Sequence, residues 1–273
     1  MSIDVHTYIG HYAFRQLRGN TTEGLVSYMK RFGIERAVAA NLSGVFYRNT
    51  QPANEELAAA IQPFPGRLTP FAVINPTYPG WRDDLEACHG LGMKGLRLYP
   101  QYHDYKLTDP RLGKLLEAAH GLNMPVAFTR WLEDPRQRSW MDSGEELKID
   151  DLLPVVAANP GTFLILNAYM HPVKDEHLRV FRAAQIYFDT VFASATARGW
   201  SGYDLLAFVK ELGPERFLFG SGYPMRDPVS AQIRLRLQTE LDPHAREAIW
   251  SSNARRLLKI GASQRVSVST SPM

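Results

Sequence analysis

Short apolar runs alternate with longer amphipathic segments along the whole chain. The runs cover residues 2–6, 37–42, 69–74, 95–99, 126–130, 163–167, 186–189 and 217–221. Most are apolar at successive positions, as expected of parallel strands buried on both faces. The segments between them carry a helical period over residues 23–32, 54–61, 81–91, 111–122, 151–158, 174–183, 203–212 and 229–237. Thr22 stands before the first helix, Asp109-Pro110 opens the fourth, and Gly33, Gly121 and Gly213 follow helix ends. Eight strand–helix units in about 250 residues predict one (β/α)₈ barrel over residues 1–260. A doubly wound open sheet is the other arrangement of such units. Residues 261–273 are rich in Ser, Val and Thr and read as a flexible tail.

In such a barrel the chemistry belongs at the C-terminal ends of the strands. Two long connections, residues 41–52 and 131–149, follow strands and so fall on that face. The second carries Glu133, Asp134, Arg136 and Arg138. Composition narrows the function classes. Charged residues are 22% and the net charge is +3, with no dense basic block, so nucleic-acid binding is not indicated. Cys88 is the one cysteine, which excludes an internal disulfide and fits a core position in a reducing cytoplasm. The chain enters a strand at once, without a leader pattern, and no apolar run has the length of a membrane span.

The strand ends supply the candidate side chains. His6 ends strand one and is a candidate base or hydrogen-bonding group; Tyr8 follows it as an acid or a space-filler. Strand four delivers Arg97 and Tyr99 on one side, with His103 close behind. A guanidinium there suits carboxylate or phosphate capture, unless it pairs with a neighbouring acid. Arg130, Asn167, Asp189, Ser221 and Tyr223 end or follow later strands. His6, His103 and Asp189 are the catalytic candidates. Tyr8, Arg97, Tyr99, Arg130, Asn167, Ser221 and Tyr223 are the substrate-binding ones. Gly-x-Ser-x-Gly and the Gly-Lys-Ser/Thr phosphate motif are absent from the sequence.

Several segments, in order, resemble the amidohydrolase-related TIM-barrel family. They are Ile3-Asp4-Val5-His6-Thr7-Tyr8, Gly92 to Pro100, Leu122 to Val126, Phe219-Gly220-Ser221-Gly222-Tyr223-Pro224 and Asn253 to Leu258. The resemblance implies hydrolysis or decarboxylation of a small carboxylate-bearing molecule, and it admits a homodimer. It also implies metal-ligand positions. Of these His6 is kept, while Tyr8, Thr129, Asn167 and Gly222 stand where the family has two further histidine-bearing strand ends, a second strand-one histidine and an aspartate. A catalytic zinc site needs three protein ligands, so the expectation is no cofactor, with zinc only through rebuilt ligands such as His103, His171, Asp189, Glu133 or Asp227. Three readings follow: an enzyme working without the family metal on a small anionic molecule, a binding protein built on a retired enzyme, and a metal hydrolase with rebuilt ligands.

Overall fold

The structure, a computed structural model, describes residues 2–133, 138–168, 174–194 and 203–260. Its strands are β1 (Ser2–Ile9), β2 (Ile34–Asn41), β3 (Leu68–Pro70), β4 (Ala72–Val73), β5 (Leu96–Leu98), β6 (Val126–Thr129), β7 (Thr162–Leu166), β8 (Gln185–Asp189), β9 (Ala193–Ser194), β10 (Tyr203–Asp204) and β11 (Phe217–Leu218). Its helices are α1 (Thr22–Phe32), α2 (Ser43–Phe46), α3 (Gln51–Ile61), α4 (Trp81–Gly90), α5 (Pro110–Gly121), α6 (Ile149–Ala158), α7 (Asp175–Ala183), α8 (Leu205–Leu212), α9 (Pro228–Arg236), α10 (Pro243–Glu247) and α11 (Asn253–Leu257).

The strands close on themselves. β1, β2 and β3 pair in parallel, and β4, β5, β6, β7, β8 and β11 continue in the same sense. β3 and β4 are two halves of one barrel strand interrupted at Phe71, whose N–H still donates to Ala39 O at 2.9 Å. The seam between the last and first strands is made by Val5 N to Phe219 O (2.9 Å), Gly222 N to His6 O (2.8 Å) and Tyr8 N to Tyr223 O (2.8 Å). The predicted (β/α)₈ barrel is therefore observed. β9 and β10 form an additional short parallel pair outside it.

Local signals account for most boundaries. Thr21, one residue earlier than predicted, caps α1 by accepting from Gly24 N at 3.1 Å, and Gly33 ends the helix in the left-handed region at φ 68°. Asp109 caps α5 ahead of Pro110. Residues 43–46, expected as loop, form the short helix α2. Residues 261–273, the expected tail, lie outside the described residues.

Three apolar layers set the depth of the site. The largest lies between strands and helices and includes Leu25, Cys88, Leu96, Leu115, Phe128 and Ile249. A second fills the lower barrel interior with Ile3, Val5, Val38, Phe71, Leu164 and Leu218, closed from below by Ala254 of α11 and Leu258 just after it. A third gathers Tyr8, Tyr12, Tyr99, Leu132 and Met225 at the C-terminal mouth. Burial pushes the Cys88 thiol up to about 12, which suits its core position.

Candidate active site

β1 and β8 bring the strongest pair of candidates together. His6 Nδ1 lies 2.6 Å from Asp189 Oδ2, and both side chains are fully buried. Asp189 is held from its other side by the backbone. Its Oδ2 accepts from Asn167 N at 2.9 Å and its Oδ1 from Ala168 N at 3.0 Å. A carboxylate so placed needs a donor from the imidazole, which puts the proton of neutral His6 on Nδ1. His6 Nε2 is then an acceptor, and the Tyr8 hydroxyl lies 2.7 Å from it. Burial lowers the His6 pKa, against the pull of Asp189, with Arg97 and Arg226 adding to the lowering. Burial also raises the Tyr8 phenol well above its ordinary value. The result is an aligned Asp189–His6–Tyr8 array at the barrel axis.

The hydroxyls of Tyr99 and Thr129 stand near Tyr8. Both are buried and neither has a hydrogen-bond partner. Asn167 adopts φ 55°, which turns its amide across the mouth. Its Nδ2 donates to Trp131 O at 2.5 Å, and its Oδ1 accepts from Arg226 Nε at 3.3 Å.

Arg97 is the largest fully buried side chain of the interior group. It donates to the carbonyls of Thr7 (2.8 Å), Val5 (3.0 Å) and Val38 (3.0 Å). Its guanidinium carbon lies 4.8 Å from the Tyr8 ring centroid. The guanidinium thus joins β5 to β1 and β2 through the barrel interior, with its terminal nitrogens committed to backbone.

The remaining candidates point elsewhere. His103 Nε2 donates to Gly44 O at 2.9 Å, and its ring approaches the site only as an edge contact with Tyr99 at 6.4 Å. Arg130 donates to Leu147 O and to the Glu146 carboxylate, so it braces the 131–149 connection. Ser221 Oγ accepts from Tyr223 N at 3.1 Å. Tyr223 turns outward and stacks on Tyr28 of α1 at 4.3 Å. Glu133 is buried between Tyr12 (2.8 Å) and Arg15 (2.5 Å), and Arg15 also reaches Met225 O at 3.3 Å. These contacts tie three loops over the mouth. Asp227 caps α9. His171, Asp134 and Arg136 lie outside the described residues.

Two residues the sequence reading passed over matter here. Asp4 is fully buried and accepts from His6 N (3.0 Å), Ser221 N (3.0 Å) and the Tyr28 hydroxyl (2.8 Å). Desolvation raises its pKa to about 6 despite those donors. An acid flanked by Ile3 and Val5 in a buried strand was its signal. The other is Arg226, whose guanidinium lies 4.6 Å from the Phe192 ring centroid and whose stem runs beside Gly222.

The amidohydrolase family model matches residues 3–260. The chain belongs to the amidohydrolase family. No curated protein sequence matches it. Among solved structures it is similar to 2,6-dihydroxybenzoate decarboxylase from Rhizobium, with 15% identity, a TM-score of 0.74, and coverage of 94% of this chain and 98% of that one. A dihydroxybenzoic acid decarboxylase from Polaromonas, solved with manganese and 2-nitroresorcinol, matches with 15% identity, a TM-score of 0.71 and coverage of 96% and 98%. 5-Carboxyvanillate decarboxylase from Novosphingobium aromaticivorans, also with bound manganese, matches with 13% identity, a TM-score of 0.67 and coverage of 95% and 97%.

These findings correct the expectation of no cofactor. Two fold neighbours bind manganese, and among the described residues one group away from the barrel axis could hold a metal ion. Asp150, Glu176 and His177 bring ligand atoms within 4.8 Å of one another. Sequence reading missed this group because its members come from α6 and α7, some 26 residues apart. In the structure the Lys174 ammonium lies 3.4 Å from Asp150 and 3.3 Å from Glu176, and His177 donates to Asp150 at 2.5 Å. At the mouth itself the described donors do not fit a three-ligand metal. His6 is engaged at both nitrogens, Asp189 accepts from His6, Asn167 N and Ala168 N, and the stem of Arg226 runs past Gly222.

Proposed function

We propose that this chain is a cytoplasmic enzyme that removes carbon dioxide from a small carboxylated molecule, with the Asp189–His6–Tyr8 array as its proton carrier. That array is the observation on which the reading rests. Loss of carbon dioxide leaves an electron pair on carbon that must receive a proton, and it needs no water. A buried proton carrier suits this better than it suits hydrolysis, which needs a water poised for attack. A substrate carboxylate in the mouth favours the imidazolium form of His6, so binding takes up one proton. As the carbon–carboxyl bond breaks, the Tyr8 hydroxyl gives its proton to the carbon and His6 Nε2 returns one to the Tyr8 oxygen. Carbon dioxide leaves, His6 ends neutral, and Tyr8 never carries full charge. Asp189 steadies the imidazolium and fixes its orientation. Arg226, beside Asn167, attracts the anion. Decarboxylase activity among the fold neighbours supports the reading by analogy of fold.

A second reading follows from burial. His6, Tyr8, Arg97 and Tyr99 are each no more than 1% exposed beneath the Arg15–Glu133 contact. A barrel closed in this way also suits a protein that binds a carboxylated ligand without turning it over. The two are separated by incubating the protein, with manganese supplied, with a panel of hydroxybenzoates. Carbon dioxide release that falls at least about a hundredfold in a His6→Gln protein that remains folded supports the enzyme. A raised melting temperature with no carbon dioxide released supports the binding protein.

A further inference from the structure

A cavity of about 1000 Å³ lies beside the mouth, between the loop after β5, residues 142–147 and α6. Six carboxylates line it: Asp104, Asp142, Glu145, Glu146, Asp150 and Asp151, against Lys106 as the one basic side chain of its wall. Arg130 compensates Glu146 and Lys174 compensates Asp150 from outside. Among the described residues no ion pair is made by Asp104, Glu145 or Asp151, so the cavity keeps a negative field.

Three further observations define what would fill it. One side is aromatic: Phe14 and Phe46 meet at 5.5 Å, and Phe46 meets Tyr102 at 5.6 Å. Such faces attract organic cations. The wall also holds unsatisfied polar atoms. Gln101 Nε2 donates to Thr129 O (2.9 Å), which fixes the amide and leaves Oε1 an acceptor with no donor. Tyr105 is 7% exposed and its hydroxyl has no partner. Third, the carboxylates are dispersed. Among the described residues the one group of three within metal-ligand reach is Asp150, Glu176 and His177, which shares a single carboxylate with this cavity. Separated negative charges match separated positive ones. Lys174, bridging Asp150 and Glu176, shows that an alkylammonium is well received at the rim.

We infer that this cavity is a second ligand site, for an aliphatic di- or polyamine. The ammonium groups would be taken by Asp104, Glu145 and Asp151, and the methylene chain would lie along Phe14 and Phe46. The inference does not depend on the proposed reaction, since none of these side chains belongs to the Asp189–His6–Tyr8 array.

The test is calorimetric titration of the full chain with spermidine at physiological salt. Saturable one-to-one binding is expected, weakened at least about tenfold in the Asp104→Asn/Glu145→Gln/Asp151→Asn triple variant. Those three positions are exposed, so the variant should fold, and an unchanged melting temperature confirms it. Phe46→Leu should weaken spermidine severalfold and leave manganese binding unchanged. Absence of saturable binding would overturn the site. So would equal affinity in the triple variant, or stoichiometric displacement of spermidine by manganese, which would reassign the cavity to a metal.

Discussion

Gly222 and Arg226 occupy one small volume at the end of the last barrel strand. A Cβ built on Gly222 would lie 3.0 Å from Arg226 Cδ and 3.3 Å from its Cγ. The backbone there is left-handed, at φ +73°. At the position where the family resemblance implies an aspartate, a side chain is therefore disfavoured by the backbone angle and crowded by the stem of Arg226. Gly222→Asp and Gly222→Ala should both lose about 1–2 kcal/mol from the left-handed backbone, lowering the melting temperature by about 2–8 °C. Gly222→Asp should recover part of that through attraction to Arg226. Thermal unfolding of both variants checks the order, and equal losses would remove the Arg226 contribution.

Asp189 should matter to activity and stability together. An amide at this position cannot accept from His6, Asn167 N and Ala168 N at once, because its nitrogen would face a donor. Asp189→Asn is expected to cost about 1–3 kcal/mol and to reduce turnover by about 10²–10⁴-fold. Chemical denaturation beside the carbon dioxide assay separates the two effects. His6→Gln should reproduce the loss of turnover with a smaller loss of stability.

Asp4 gives a pH signature of definite sign. Its folded-state pKa, about 6, lies above the ordinary 3.8. The folded protein therefore holds this proton more tightly than the unfolded chain. Its contribution to stability is complete below about pH 4 and is lost as the pH rises through about 6. In Asp4→Asn the Oδ1 keeps both backbone donors, and the Tyr28 hydroxyl can turn to accept from the new amide. The variant should fold, and its stability curve between pH 4 and pH 6 should lose this downward slope. Denaturation midpoints across that range would show it.

Arg97 should behave as a fastener. Removing it in Arg97→Met leaves the carbonyls of Val5 and Thr7 without that partner, while Val38 O keeps the Thr7 hydroxyl at 2.9 Å. A loss of about 3 kcal/mol or more is expected, from charge-assisted hydrogen bonds of about 1.5–3 kcal/mol each. The shift in melting temperature produced by a small carboxylate should persist in any Arg97 variant that folds. Its disappearance would return Arg97 to the binding site.

The barrel was legible because its strands are apolar at successive positions and its helices carry local caps such as Asp109 and Gly33. The strand ends were legible too, as positions for His6 and Asp189, but the spacing alone did not require the two side chains to meet. Direction was harder. Tyr223 follows a strand yet faces α1, because the chain has already turned at Gly222. Arg130 leaves the barrel to hold a connection whose path no periodicity describes. Arg226 fills space opened by a glycine four residues earlier, a relation set by a backbone angle. Asp4 was readable, as a carboxyl between two buried apolar residues, but its partners come from α1 and from the far end of the chain.

The seam from His6 to Gly222 also sets an order of events. The bond from Gly222 N to His6 O joins residues far apart in the sequence, and Ser221 N reaches Asp4 across the same gap. Contacts so distant along the chain are slow to form, since a long loop must close before they return any energy. During synthesis His6 leaves the ribosome well before Gly222 and waits while the chain between them is made. Its setting between Asp189, Asp4 and the last strand can be completed only after residue 222 has emerged. A nascent chain stopped short of that point would carry every candidate catalytic side chain and still lack the closed mouth that aligns them.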